Sequence, residues 1–129
     1  MRDEKKLFAL ALVTICVLAG ATAQLLWKQG MSDLDKINGL GDLLKAETIY
    51  EIFTNKFIFF GITLYVISIF LWLGAMSSLE VSYMYPLLSL GYVVTAALAF
   101  IFIGENITLL RWAGIVLILS GCFLITRSG

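Results

Sequence analysis

The sequence predicts an all-α integral membrane protein: four transmembrane helices in a compact bundle, with a long polar loop between the first and the second. Three observations carry that expectation. Hydrophobic residues fill 60% of the 129 positions and charged residues only 14%, too few to coat a soluble domain of this size. The uncharged positions are gathered into four stretches, 7–27, 57–79, 81–104 and, interrupted only by Arg111, 106–126. Each is long enough, since a bilayer core takes about 20 helical residues rising roughly 1.5 Å apiece. Inside the bilayer a helix satisfies its own backbone hydrogen bonds.

The first span follows MRDEKK. A cleaved leader also joins a basic start to an apolar run, but its apolar core is only about 7–15 residues long. Here the run is longer and three more spans follow, so it reads as a first transmembrane helix. It ends near Gly30, with Trp27 and Lys28 where an interfacial ring and a snorkelling amine are comfortable. Region 31–56 is the long polar stretch. Within it Leu40, Leu43, Leu44, Ile49, Ile52 and Phe53 recur at roughly helical spacing between charges. That pattern reads as one or two short amphipathic turns resting on the membrane surface, with a plain water-exposed loop as the alternative. Only SSLEVS, around Glu80, divides the second span from the third, a connection short enough to make them antiparallel neighbours. Asn106 or Thr108 is placed to cap the fourth helix, which ends at Thr126 ahead of Arg127. Residues 1–129 then form one domain.

Four spans put both termini and the Glu80 turn on one side of the membrane. That side carries Arg2, Lys5, Lys6 and Arg127, and the other carries Lys28, Lys36, Lys45, Lys56 and Arg111. So even a balance leaves the positive-inside rule with almost no instruction to give. Insertion in both orientations, giving an antiparallel dimer, and one weakly specified orientation both stay open.

Several function classes are excluded. No basic stripe supports nucleic-acid binding. There is no histidine, and Cys16 and Cys122 lie in separate apolar runs, so packing is expected of them rather than metal or redox work. No cofactor is called for, and without a nucleophile–base pair or metal cluster an enzyme reading has no support.

What remains points to a path through the membrane. Four helices make a bundle too thin to enclose a solute path and still pack a core. Two such bundles can, and transporters are commonly built from related halves. In the fourth span GIVLILSG sets Gly114 and Gly121 on one face, with Ser120 beside the second. Small residues of this kind let helix backbones approach closely, either across a dimer or within one chain. In the first span Gly20, Ala21 and Ala23 make a narrow surface, and Gln24 and Lys28 share a face one turn apart. An amide inside a span costs energy unless it finds a partner, so Gln24 should face the bundle or a cavity. Lys28 either snorkels to the headgroups or aims its ammonium at an anionic substrate such as a phosphate.

The third span opens SYMYPLLSLGYVV. Tyr85 and Ser89 lie four apart with Tyr92 a turn beyond, a ladder of hydroxyls on an apolar helix, and Pro86 removes a backbone donor and kinks it. That combination reads as the wall of a substrate chamber, although interfacial anchoring alone accounts for Tyr83 and Tyr85. Glu105 closes the span near enough along the chain to Arg111 for a structural loop clamp. No Asp or Glu falls in the middle of a span, so no intramembrane proton-binding carboxylate is evident.

AGATAQLLWKQG, LWLGAMSSLEVSYMYPLLSLGYV and FIGENITLLRWAGIVLILSGCFLI together resemble the small four-helix members of the drug/metabolite transporter superfamily. The likeness covers nearly all of the chain outside 33–56. Within the superfamily the pattern is similar to the EamA-like small subunits that flip undecaprenyl-phosphate-linked aminoarabinose in bacterial envelopes, and more distantly to the small multidrug resistance proteins. The resemblance implies transport without ATP chemistry, in a bacterial plasma or inner membrane, by a homodimer or a heterodimer with a related four-helix subunit. In the small multidrug proteins a glutamate of the first helix binds proton and cation. Counting back from the matching Lys28, that position is Gly20 here, and the family's chamber tryptophan falls on Leu88. Both departures count against proton-coupled efflux of aromatic cations. Gln24, Lys28, Tyr85, Pro86, Ser89 and Glu105 match the flippase-like pattern, and a lysine at a chamber edge suits a phosphoryl group better than a cation.

The expectation is therefore a subunit that flips a polyprenyl-phosphate-linked sugar among membrane lipids. Gln24, Lys28, Tyr85, Ser89 and Tyr92 would meet the substrate, while Pro86, Glu105, Arg111, Gly114 and Gly121 would be structural. A small-solute or drug exporter and a non-transporting accessory subunit of a membrane glycosyltransferase are the competing readings. A flippase calls for a groove open to lipid and an exporter for a closed central chamber. An accessory subunit calls for no cavity lined by Gln24 and Tyr85.

Overall fold

The computed structural model describes residues 2–128. The chain runs α1 (Arg2–Ser32), α2 (Leu40–Leu43), α3 (Ala46–Thr54), α4 (Lys56–Met76), α5 (Val81–Leu87), α6 (Leu90–Leu98), a π-helical turn (Ala99–Ile103) and α7 (Leu109–Ser128). Among the described residues four segments are long and apolar enough to cross a membrane: Asp3–Ser32, Lys56–Met76, Val81–Ile103 and Leu109–Ser128. The expected spans are all present, which makes this a multi-pass membrane protein. The first runs past Gly30 to Ser32, and the third is assembled from α5, α6 and the π turn.

Lipid tails are as apolar as leucine, so helices in a bilayer meet where small residues permit close contact. α1 and α4 do so along most of their length. A Cβ added at Gly61 would stand 2.6 Å from the Trp27 ring and 3.1 Å from the Ala23 carbonyl oxygen, so the α4 backbone passes directly beneath α1. Trp27 fills the slot and lies 5.3 Å from the Tyr65 ring. The indole is therefore an interhelical wedge rather than the outward interfacial ring expected from the sequence, because the glycine opposite leaves room for it. Cys16 adds a polar tie, its thiol donating to the Ser68 carbonyl at 3.2 Å. Toward the chain termini Ala9, Val13 and Val17 of α1 join Ala75 of α4 and Met84 and Leu87 of α5 in a buried cluster.

The polar region is more ordered than a loop. Asn55 caps α4, its side-chain oxygen accepting from the N–H groups of Phe57 at 3.0 Å and Ile58 at 3.2 Å. Its amide also donates to the Gly30 carbonyl at 3.3 Å, tying the end of α1 to the start of α4. Leu40, Leu43 and Leu44 are exposed on α2 and just after it, and α3 exposes Ile49, Tyr50 and Phe53 and buries no residue, as an amphipathic surface element should. An ion pair of 3.0 Å joins Asp42 to Lys45. The hydrogen bond from Lys45, aided by the Asn38 N–H, holds the Asp42 carboxyl below its ordinary range.

α4 and α5 are neighbours only near the turn that joins them, through Ala75, Met84 and the edge-on pair of Trp72 and Tyr85 at 6.5 Å. Away from it α4 follows α1, whereas α6 leans on α1 and α7. The helices joined by the shortest connection thus part, and a groove lies between them.

α7 is capped by Thr108, whose hydroxyl accepts from the Arg111 N–H at 3.2 Å, so of the two expected caps Thr108 serves. Among the described residues, nothing beyond the local backbone of α7 lies within 4 Å of a Cβ built at Gly114 or Gly121. Packing within one chain, the alternative reading of that glycine pair, is therefore not their role.

Candidate functional site: a groove between three spans

Pro86 shapes one wall of the groove. It has no N–H to donate, and the chain after it tightens: Leu88, Ser89, Gly91 and Tyr92 each donate three residues back, at 2.8–3.0 Å. In such turns the side chains at i and i+3 eclipse, so Tyr85, Leu88 and Gly91 look into the groove. Ser89 is turned the other way. Its hydroxyl donates to the Pro86 carbonyl and lies 2.8 Å from the Cys122 sulfur, whose thiol also reaches that carbonyl at 3.4 Å. The expected ladder allowed for a kink at Pro86 but counted faces at the regular helical period across it. The break withdraws Ser89 from the lining and makes it a joint between the third span and α7. Both cysteines are buried and free, in the packing roles expected of them.

The far end of the same wall is shaped by Gly104. It adopts a left-handed conformation, φ 79°, and its N–H and that of Glu105 both donate to the Ala99 carbonyl. A residue with a Cβ pays about 1–2 kcal/mol to sit there, and glycine does not. The turn folds Glu105 back over the face that ends at Ala99, and both residues line the groove. The expected clamp is not formed: among the described residues Glu105 and Arg111 make no ion pair, and Arg111 is exposed at the head of α7. A π-helical turn at such a place is common near functional sites.

The groove has a volume of about 790 Å³. α1 contributes Cys16, Val17, Gly20, Ala21 and Gln24, and α4 contributes Tyr65, Ser68, Ile69 and Trp72. The third span adds Tyr92, Thr95 and Ala96 to the residues already named. Tyr85 is 63% exposed and Tyr92 65%, so in the single chain the slot opens outward along its length. Its polar residues include Gln24, Tyr65, Tyr85, Tyr92, Thr95 and Glu105, together with Cys16, Ser68 and Trp72; the Ser68 hydroxyl and the Cys16 thiol are spent on backbone carbonyls. Gly20 and Leu88, where the small multidrug proteins carry an acid and a tryptophan, both line it.

Of the residues expected to meet substrate, Gln24, Tyr85 and Tyr92 come together here. Ser89 does not, and neither does Lys28: the α1 lining ends at Gln24, and Lys28 stands exposed one turn farther out. Sequence reasoning missed the α4 wall. Tyr65, Ser68 and Trp72 recur at helical spacing on one face of the second span, a polar and aromatic stripe that carried the signal.

The profile of the EamA-like transporter family matches residues 43–127. The chain is 37% identical over 122 residues to the probable 4-amino-4-deoxy-L-arabinose-phosphoundecaprenol flippase subunit ArnF of Erwinia tasmaniensis, covering 92% of this chain and 91% of that one. To the ArnF subunit of Photorhabdus laumondii it is 34% identical over 119 residues, 88% of this chain and 92% of the relative. A stretch of 56 residues, 43% of this chain, is 38% identical to the probable flippase subunit ArnE of Yersinia pestis, of which it covers 49%. No solved structure matches the chain significantly. Four spans and a family match over most of the sequence lead to one statement: the chain belongs to the EamA-like transporter family.

Proposed function

We propose that this chain is one subunit of a flippase that moves a polyprenyl-phosphate-linked sugar between the leaflets of a bacterial inner membrane. The observation that supports this reading is the open groove, an amide and a row of hydroxyls exposed along one slot between apolar helices. A lipid-linked sugar is polar at one end and hydrocarbon at the other. Carrying the polar end across a bilayer strips its water, a cost that hydrogen-bonding side chains offset while the prenyl tail stays in lipid. An accessory subunit has no need of the groove. The relatives named above are flippase subunits for a lipid-phosphate-linked amino sugar, which supports the same substrate class.

Gln24, Tyr85 and Tyr92 are assigned to the sugar. Lys28, on the Gln24 face of α1 and one turn farther out, is assigned to the phosphate. A second four-helix chain, of the same or a related kind, is assigned to the open side of α7 at Gly114 and Gly121.

The test is reconstitution into liposomes, alone and with a co-expressed four-helix relative, using a short-chain polyprenyl-phosphate sugar with a quenchable label. Faster leaflet exchange than in protein-free liposomes is expected in at least one arm. Protein-free rates in both arms would sink the proposal. Lys28→Met is expected to weaken binding of a short-chain polyprenyl phosphate roughly ten- to hundredfold, the worth of a charge-assisted contact. Equal affinities would leave Lys28 as a headgroup anchor.

A further inference from the structure

We propose that Glu105 forms the recognition subsite for a primary ammonium on the substrate's polar head. The proposal rests on the flippase reading only for the lipid half of the substrate; the ammonium is argued from the groove itself. Glu105 is the one acidic residue of the lining, and no lysine or arginine joins it there. Its carboxylate is not consumed by structure, since among the described residues no side chain bonds to it and Arg111 makes no ion pair with it. The left-handed Gly104 and the paired N–H bonds to the Ala99 carbonyl are what turn it inward.

The sign of this charge selects the ligand. Carboxylates and phosphates repel one another, so the groove disfavours a bare phosphate at this end. A neutral sugar hydroxyl is served as well by Gln24 or the tyrosine hydroxyls. A primary ammonium is the group that gains most, because bonds with both donor and acceptor charged are shorter and roughly twice as strong as neutral ones. Gln24 is the last α1 residue of the groove toward the same end of the bundle, and it offers a carbonyl oxygen from the facing wall. Lys28 lies beyond the lining on that helix. The headgroup that fits carries an ammonium directed into the groove and a phosphate directed out of it.

The experiment uses the full chain purified from its membranes, with any subunit that co-purifies, in lipid nanodiscs. Four probes are compared: a short-chain polyprenyl-phosphate-linked amino sugar, its N-acetyl form, the bare polyprenyl phosphate, and the free amino sugar without lipid. In the wild type N-acetylation is expected to weaken binding roughly ten- to hundredfold. Glu105→Gln is expected to abolish that preference and keep the affinity for the N-acetyl form, which also reports that the variant is folded. Glu105→Asp is expected to retain part of the preference, and it decides the matter together with the wild type if Glu105→Gln does not fold. A wild type indifferent to N-acetylation, or a Glu105→Gln protein with the full preference, overturns the ammonium subsite and leaves the flippase reading standing. Glu105-dependent binding of the free amino sugar, with no lipid-linked probe bound, keeps the subsite and removes the flippase reading. If no probe binds, both fall.

Discussion

α1 and α7 are almost equally apolar and of membrane-spanning length, yet 33% of the apolar stretch of the first is buried within the chain and only 6% of the last. In a bilayer hydrophobicity does not decide which helix is central, because lipid accepts apolar side chains as readily as protein does. What separates the two is the match of small residues and polar ties across each contact. α1 has Ala23 against Gly61, Cys16 against Ser68 and Gly30 against Asn55. α7 is held by Cys122 against Ser89 and by the edge-on pair of Trp112 and Phe100 at 6.3 Å, and it turns Gly114 and Gly121 to open space. One interface is complete inside the chain, and the other leaves its small residues uncovered.

Substitution at Gly61 should break this contrast with the largest effect. Leucine there meets the Trp27 ring and the Ala23 carbonyl, and overpacking of that kind costs about 1–3 kcal/mol or more. Gly114→Leu and Gly121→Leu should leave the chain's own thermal unfolding in detergent within about 0.5 kcal/mol and lower the yield of crosslinked dimer in native membranes. Equal destabilisation by Gly61→Leu and Gly121→Leu would erase the difference between the two regions, and unchanged dimer yields in both α7 variants would remove the open face as an interface.

Gly104→Ala comes next, at about 1–2 kcal/mol for a Cβ in the left-handed region. Because the same turn directs Glu105, it should also weaken binding of an amino-bearing ligand more than of its N-acetyl form. A variant as stable as the wild type would show that the turn is not strained by a side chain.

Ser89→Ala sharpens the comparison at the hydrogen-bonded tie of α7. Loss of one hydrogen-bonded partner is worth about 1 kcal/mol. Cys122 should then react faster with a maleimide, and Cys16, bonded to Ser68 in the α1–α4 interface, should not. Equal acceleration at both would point to general loosening.

The smallest effect is expected outside the membrane. Asp42 titrates below its ordinary range in the folded chain, so its pairing with Lys45 is fully present above the unfolded carboxylate range and is lost as pH falls through the lowered folded value. Amide exchange across α2 and α3 should quicken on acidification in the wild type and show a flatter pH response in Asp42→Asn. Identical profiles would mean that the exposed pair contributes nothing, as many surface pairs do.

The spans were legible because length and absence of charge are one-dimensional properties, and the packing of Cys16 and Cys122 followed from the same runs. The groove was half legible. Gln24, Tyr85 and Tyr92 stood out as polar groups in apolar surroundings, and the groove gathers them. Ser89 and Glu105 were misplaced because each depends on a local departure from the regular helix: three-residue turns after Pro86 in one case, a left-handed glycine in the other. A reading by helical period assigns faces as though neither departure existed. It linked Glu105 to Arg111 by nearness along the chain, whereas among the described residues the two make no ion pair.

The break after Pro86 also changes what the third span offers its neighbours. Leu87 before it and Leu90 and Val94 beyond it pack on one cluster with Ala75 and Val13, while Ser89 between them reaches Cys122 of α7. A helix of one regular period presents each partner with a stripe along its length. With the tight turns inserted, the span seats on α1 and grips α7 within four residues, so one proline lets a single helix hold two neighbours at the same level.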